Sequence, residues 1–258
     1  MIDSNEDGFL EENVNAICKI KTSTKKGVRG YIGEKGIGFK SVFKIASKVH
    51  VQSGPFSFSF NYGGDDEDGM GMVTPFNDIH EDLPGDVRTR FTLALKDDTD
   101  FESLVKEFAD LPDTLLLFLT TLKRLRISID DSDEISETNF EYRYDETSGK
   151  GLLTRNSARG KPKVFHFYIS EKLIQNLPTD KARKDVKEAQ VVLAFPVNGQ
   201  DVPIVTQQYV FAYLPIRKVG FSVRSHALVI IQSLLLNSLF LVPNSVRLHY
   251  PGEQRRCP

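Results

Sequence analysis

The sequence has few of the residues from which disulfide and metal sites are built. Its two cysteines, Cys18 and Cys257, lie near opposite ends of the chain, and neither belongs to a Cys-x-x-Cys pair. This pattern indicates neither a disulfide framework nor a thiolate metal site, and it favours a reducing compartment. The five histidines show no metal-ligand spacing. The sequence therefore predicts no metal ligand.

The sequence also lacks the apolar segments that a secretory signal or a membrane span requires. The N-terminal stretch MIDSNEDGF is acidic and has no apolar core, so it is not a secretory signal. Residues 226–242 form an uncharged run of 17 residues, but polar side chains interrupt it, and a membrane span needs about 20 apolar residues. We expect a buried helix there, no membrane partner, and a cytoplasmic or nuclear location.

The net charge of −2 provides no overall attraction for nucleic acid, and none is predicted as a partner. The average nevertheless hides two opposed blocks. Residues 19–48 contain nine Lys and Arg against one acid, whereas residues 61–86 contain eight acids and no Lys or Arg. The acidic block includes GGDDEDGMG, which predicts an exposed loop. The basic block surrounds a glycine-rich motif, which favours a polyanionic ligand.

Hydrophobic periodicity predicts a mixture of helices and mostly antiparallel strands, which is an α+β fold in two parts. Helices are predicted at residues 13–20, 36–46, 101–109, 114–124 and 171–175. Strands are predicted at 49–52, 56–60, 90–96, 125–129, 140–144, 163–169, 191–195 and 209–214, with loops at 21–30 and 130–139. The predicted division is 1–98, 99–220 and a divergent apolar tail, 221–258.

The most informative motif is Gly-x-x-Gly-x-Gly at residues 33–38, directly before a predicted helix. Glycines let the backbone approach a ligand closely, and the free N–H groups at a helix start favour phosphate. A turn that needs glycine only for its backbone angles is the alternative. The Rossmann order of glycines is the reverse of this one, and a P-loop needs lysine where Phe39 stands. Both of those phosphate loops are excluded.

Residues 33–43 (GEKGIGFKSVF) resemble the third motif of the GHKL, or Bergerat-fold, ATPases. This superfamily includes DNA gyrase, MutL, the sensor histidine kinases and the ninety-kilodalton heat-shock chaperone. The sequence of this segment most resembles the chaperone-like branch of sacsin and NO VEIN. Residues 5–9 (NEDGF) resemble that branch's second motif, and residues 88–92 (RTRFT) its last strand. The later segments LPDTLLLFLTTLKRL and VLAFPV…VFAYLPI also resemble it, so the resemblance covers most of residues 1–216.

The resemblance implies a partial Bergerat-type α/β sandwich at residues 1–98, with a mixed, mostly antiparallel sheet. A second, transducer-like α+β domain at 99–220 would follow it. The implied ligand is ATP or ADP, with Mg²⁺ if the intact protein is an ATPase. The implied output is chaperone-like or conformational, with other protein chains as possible partners.

By the same resemblance, the glycine-rich segment would hold the phosphates of the nucleotide. The backbone around Gly33, Gly36, Gly38 and Phe39 would contact them. Lys25 would belong to a mobile lid over the nucleotide.

The base would lie against Gly8, with Thr89 near the amino group of adenine. The superfamily reads adenine with an aspartate, and alignment on Gly8 places Ser4 at that position. The adjacent Asp3 and Asn5 are therefore the candidates for the adenine-reading residue.

The resemblance also implies a helix before the second motif, with a glutamate that activates water and an asparagine that holds Mg²⁺. Only two residues precede Asp3 in this chain, so we expect an N-terminally truncated domain. No catalytic residue is assigned, and hydrolysis is expected to be lost or to depend on missing N-terminal residues. The alternative is a degenerate fragment that binds no nucleotide and acts as a protein-interaction module.

Gly36→Val and Gly38→Val are each expected to abolish nucleotide binding while the protein remains folded, because a Cβ blocks the approach of the backbone to phosphate. Titration with ADP measures the loss, and circular dichroism checks the fold. If both variants bind ADP like the parent, the assignment of a phosphate loop is wrong.

Overall fold

The computed structural model describes residues 1–18, 39–62, 74–79, 82–119, 121–131, 134–158, 160–176, 188–205, 208–212, 214–219, 228–231 and 245–249. The chain is α+β, with mostly antiparallel strands and few helices. It divides into two compact units. The first comprises Met1–Asp110, Leu125–Thr138 and Asn237–Pro258, and the second comprises Leu111–Arg124 and Asn139–Leu236.

The described helices are α1 (Glu11–Ile17) and α2 (Phe101–Ala109), with 3₁₀ helices at Phe39–Lys44 and Leu115–Phe118. The described strands are β1 (Ile2–Ser4), β2 (Ala46–Ser53), β3 (Phe56–Asn61), β4 (Phe76–Asn77), β5 (Thr89–Leu95), β6 (Arg124–Asp131), β7 (Glu134–Asp145), β8 (Lys150–Ser157), β9 (Lys163–Gln175), β10 (Glu188–Val197), β11 (Gln208–Ala212), β12 (Leu214–Val219), β13 (Leu228–Ile231) and β14 (Ser245–His249).

In the first unit, the strands follow the order β6-β14-β1-β5-β2-β3-β4. Strands β1, β5, β2, β3 and β4 pair antiparallel, whereas β14 pairs with β6 in parallel. The β2–β3 hairpin turns at Gly54, whose φ of +54° lies in the left-handed region that glycine adopts without a steric penalty. The predicted strands 49–52, 56–60 and 90–96 are therefore confirmed, with small shifts of their ends.

An aromatic core covers one face of this sheet. The alternation in FSFSF directs Phe58 and Phe60 to this face and the serines to the other. The 3₁₀ helix adds the buried rings of Phe39 and Phe43, and β5 adds Phe91. The ring of Phe60 lies edge-on to that of Phe39, with 5.6 Å between their centroids. Helix α1 packs on the same cluster through partly buried apolar side chains.

In the second unit, the strands follow the order β7-β8-β9-β10-β13-β11-β12. Strands β9 and β10 form a long antiparallel pair, from Glu188↔Gln175 to Val197↔His166. The 3₁₀ helix Leu115–Phe118 is buried throughout, and its Phe118 ring lies 4.6 Å from that of Phe211 between centroids.

Three predictions in the second half of the chain are wrong. The predicted helix at 114–124 is the short 3₁₀ helix Leu115–Phe118, and strand β6 begins at Arg124. The predicted loop at 130–139 contains the end of β6 and the start of β7, and the predicted helix at 171–175 continues strand β9. Ladder bonds to β10 extend β9 through these last residues, so tertiary pairing overrides local helical preference. Helix α2 is confirmed with the predicted bounds, and its N-cap Asp100 accepts a hydrogen bond from Ser103 N.

The first unit includes α2 and extends to Asp110, and the predicted boundary at residue 98 stays a prediction. Within the predicted apolar helix at 226–242, residues 228–231 form strand β13, and the remainder lies outside the described residues. None of the helices in the described ranges has the length and apolarity needed to cross a membrane.

Phe60→Ala is expected to lower the free energy of unfolding by about 3–5 kcal/mol, because it leaves a cavity among the packed rings of the core. Phe60 is fully buried at 0% exposure, whereas Phe76 on β4 is 51% exposed. Phe76→Ala is the matched control, and its cost is expected to stay within about 0.5 kcal/mol. Chemical denaturation measures both, and equal costs would contradict the assignment of the core.

Candidate functional site

Three strands of the first unit bring hydroxyl side chains together at one edge of the sheet. Strand β1 ends at Ser4, β5 begins at Thr89, and β2 ends at Ser53. Ser4 and Ser53 are the direct cross-strand partners of Thr89 on either side. Side chains of paired residues point to the same face, so the three hydroxyls form a row. We call Ser4, Ser53 and Thr89 the hydroxyl row.

The hydroxyl row is buried and hydrogen-bonded to the loop after β1. Ser53 Oγ and Thr89 Oγ1 lie 2.6 Å apart, and both residues are 0% exposed. The Phe9 N–H donates to Ser53 Oγ at 2.7 Å, and the Glu6 N–H donates to Ser4 Oγ at 3.2 Å. The loop at residues 5–9 is thereby fixed at the edge of the sheet.

Gly8 permits the path of this loop. Its φ of +88° lies in the left-handed region, which residues with a Cβ rarely adopt. A Cβ at this position would also lie 3.5 Å from Ser53 Oγ. The glycine therefore lets the following N–H, that of Phe9, reach Ser53.

Aromatic contacts join the predicted motifs beneath the hydroxyl row. The ring of Phe91, two residues beyond Thr89, lies 6.1 Å from the ring of Phe9 and 6.1 Å from that of Phe39 between centroids. Phe39 follows the glycine-rich motif directly in the sequence. Its side chain is 3% exposed in the core, so only its backbone could serve a ligand. The structure thus brings Gly8, Phe39 and Thr89 to one region.

Asp3 lies on the opposite face of the sheet from the hydroxyl row. It precedes Ser4 on β1, and successive side chains of a strand alternate between faces. Its carboxylate accepts two hydrogen bonds from Arg90, at 2.6 and 2.7 Å, and the hydrogen bond to Asp3 raises the pKa of Arg90. The structure therefore does not place the Asp3 carboxylate beside Thr89. Asn5 lies in the loop and is exposed.

Gly33, Gly36, Gly38 and Lys25 lie outside the described residues, so their roles stay predictions. Among the described residues, no group of three or more His, Cys, Asp and Glu side chains is arranged to hold a metal ion.

Lys40, one residue beyond Phe39, contacts the end of α1. Its Nζ donates to the Ile17 carbonyl oxygen at 2.5 Å and lies 5.3 Å from the centroids of both the Phe39 and Phe60 rings. Burial lowers the pKa of Lys40 to about 8, and burial raises the pKa of the neighbouring Cys18 thiol. The Lys40 side chain is thus directed to the helix C-terminus, where a cation is favoured.

Sequence reasoning missed Ser53, which is the centre of the hydrogen-bonded group. The residue stands directly before Gly54-Pro55, a dipeptide that is typical of turns. No local pattern marks it, because its partners Phe9 and Thr89 are 44 and 36 residues away in the sequence.

Comparison with known proteins finds a similarity to one curated plant protein. The chain is 32% identical over 247 residues to "Protein NO VEIN" of Arabidopsis thaliana, an alignment that covers 84% of this chain. The chain spans only 8% of the length of that protein. No family model matches the chain, and no solved structure matches it.

Gly8→Ala is expected to lower the free energy of unfolding by about 1–2 kcal/mol, because it forces a Cβ into the left-handed region. Gly85 provides the control, since a Cβ there meets no atom within 4 Å and its φ is not in that region. Gly85→Ala is expected to be neutral or slightly stabilising. Denaturant titration compares the two, and a Gly8→Ala protein as stable as Gly85→Ala would refute this role for Gly8.

Proposed function

We propose that this chain is an ATP- or ADP-binding module of the GHKL type, with a chaperone-like or conformational role. The support for nucleotide binding is the set of motifs by which residues 1–98 resemble the Bergerat-fold ATPases, and the similarity to Protein NO VEIN agrees with the branch that these motifs resemble. The chain matches only a small part of that longer protein. The chaperone-like or conformational role is therefore proposed for this module alone.

The observation that carries the proposal is that two motif segments meet at one sheet edge and the aromatic core joins a third segment to them. Thr89 shares a hydrogen bond with Ser53, which also accepts the N–H that follows Gly8. The Phe91 ring then connects this edge to Phe39, where the glycine-rich segment ends. A nucleotide whose base lay at the hydroxyl row could therefore extend its phosphates toward that segment.

The proposal assigns base contact to Ser4 rather than to Asp3 or Asn5. Ser4 is the direct partner of Thr89 and is 7% exposed. Arg90 holds the Asp3 carboxylate on the other face, and releasing it would break two charge-assisted hydrogen bonds.

The proposal is one of binding and not of turnover. Phosphoryl transfer requires a positioned base and Mg²⁺ to neutralise the developing charge, and the proposal assigns no residue to either role.

Protection by ADP against thermal unfolding tests the proposal. A ligand at about 100 times its Kd should stabilise the protein by about 2.7 kcal/mol. Thr89→Val is expected to weaken ADP binding by about tenfold, since it removes one hydrogen-bonding hydroxyl from a buried site. The control is Thr92→Val, the same change on the same strand, but at a position that faces the other side of the sheet.

Weakened binding in Thr89→Val with normal binding in Thr92→Val would support the assignment of the site. If neither ADP nor ATP protects the parent protein at millimolar concentration, the proposal fails. The alternative is then a protein-interaction module that keeps the fold without its ligand.

A further inference from the structure

The hydroxyl row has hydrogen-bonding capacity that the described protein groups do not use. Ser53 and Thr89 together carry two hydroxyl protons, and only one of them lies between the two oxygens. Ser53 Oγ accepts from the Phe9 N–H, so that contact uses a lone pair and no proton. Whichever residue donates to the other, one buried proton finds no acceptor among the described residues.

Ser4 adds a second unused donor. Its Oγ accepts the Glu6 N–H, which again leaves the hydroxyl proton without an acceptor in the described part of the chain. Donors that are buried without an acceptor cost free energy, so a ligand that supplies acceptors would be stabilised here. Ser4 and Thr89 can each also accept a further hydrogen bond, because a hydroxyl oxygen has two lone pairs and at most one of theirs is used.

This mixed capacity distinguishes the row from a carboxylate. An ionised carboxylate only accepts hydrogen bonds, so it favours an amino group and repels a carbonyl oxygen. A hydroxyl can accept from the amino group of adenine or donate to the carbonyl oxygen of guanine. The nearest aspartate in sequence, Asp3, is paired with Arg90 on the other face, and Asp7 is exposed.

We infer that the hydroxyl row, acting as the base site of the proposed nucleotide-binding module, accepts guanine as well as adenine nucleotides. The inference rests on the proposed function and adds the specificity of its site. Ser4 is the specificity-determining residue, because it lies beside Thr89 in the row and carries no charge.

The test compares the Kd values of ADP, GDP and IDP for the full chain by isothermal titration. In the parent protein, the three values are expected to agree within about tenfold, the range of one neutral hydrogen bond. Ser4→Asp is expected to favour ADP over GDP by at least about thirtyfold, since charged hydrogen bonds are stronger than neutral ones. Ser47→Asp, at the other end of β2, is the control for added charge and should leave the ratio unchanged.

Ser4→Ala guards against a Ser4→Asp protein that fails to fold, as judged by circular dichroism. It is expected to weaken ADP and GDP by a similar factor, because both bases use the same hydroxyl. A loss confined to one nucleotide would contradict a shared contact.

A parent protein that prefers ADP by more than about tenfold overturns the inference but leaves the proposed function standing. If Glu6→Gln then removes that preference, the partly buried Glu6 is the residue that reads adenine. Absence of binding by all three nucleotides overturns the proposed function, and the inference with it.

Discussion

The described part of the candidate site depends on the packing of the Phe91 ring against those of Phe9 and Phe39. These contacts join the loop after β1, the 3₁₀ helix after the glycine-rich motif, and the strand that begins at Thr89. Each segment is short, and none of them could bury its apolar side chains alone. The aromatic core therefore determines which polar groups meet at the edge above it, and residues far from any ligand decide the geometry of the site.

The pleat of the sheet places neutral hydroxyl groups on one face and a charged pair on the other. Ser4 and Thr89 lie on the face of the aromatic core, whereas their sequence neighbours Asp3 and Arg90 lie on the other. The ion pair stays at a partly exposed surface, with both side chains 20% exposed, and avoids the larger desolvation cost of a buried charge. Neutral hydroxyls, which are cheaper to bury, occupy the core face.

Local patterns predicted elements well where local interactions decide them. Helix α2 has an amphipathic stripe and the N-cap Asp100, and its predicted bounds are confirmed. The run LLLF at residues 115–118 is apolar all round, so its periodicity could not distinguish a long helix from a short buried turn. The end of β9 has a charged, helix-like composition, yet it is a strand because it pairs with β10. Pairing of this kind depends on residues that are distant in sequence, which no local window contains.

For the site, the sequence by itself determined the local devices: the glycine at position 8, the Gly54-Pro55 turn, and the alternation that directs the phenylalanines of β3 to one face. Only the tertiary structure decided that Ser53 forms a hydrogen bond with Thr89 and that the Asp3 side chain lies on the other face of the sheet. The physical reason is that a hydrogen bond between residues 36 apart requires the register of β2 on β5. A shift of that register by one residue would turn every side chain to the other face, and only packing of the aromatic core selects between the two.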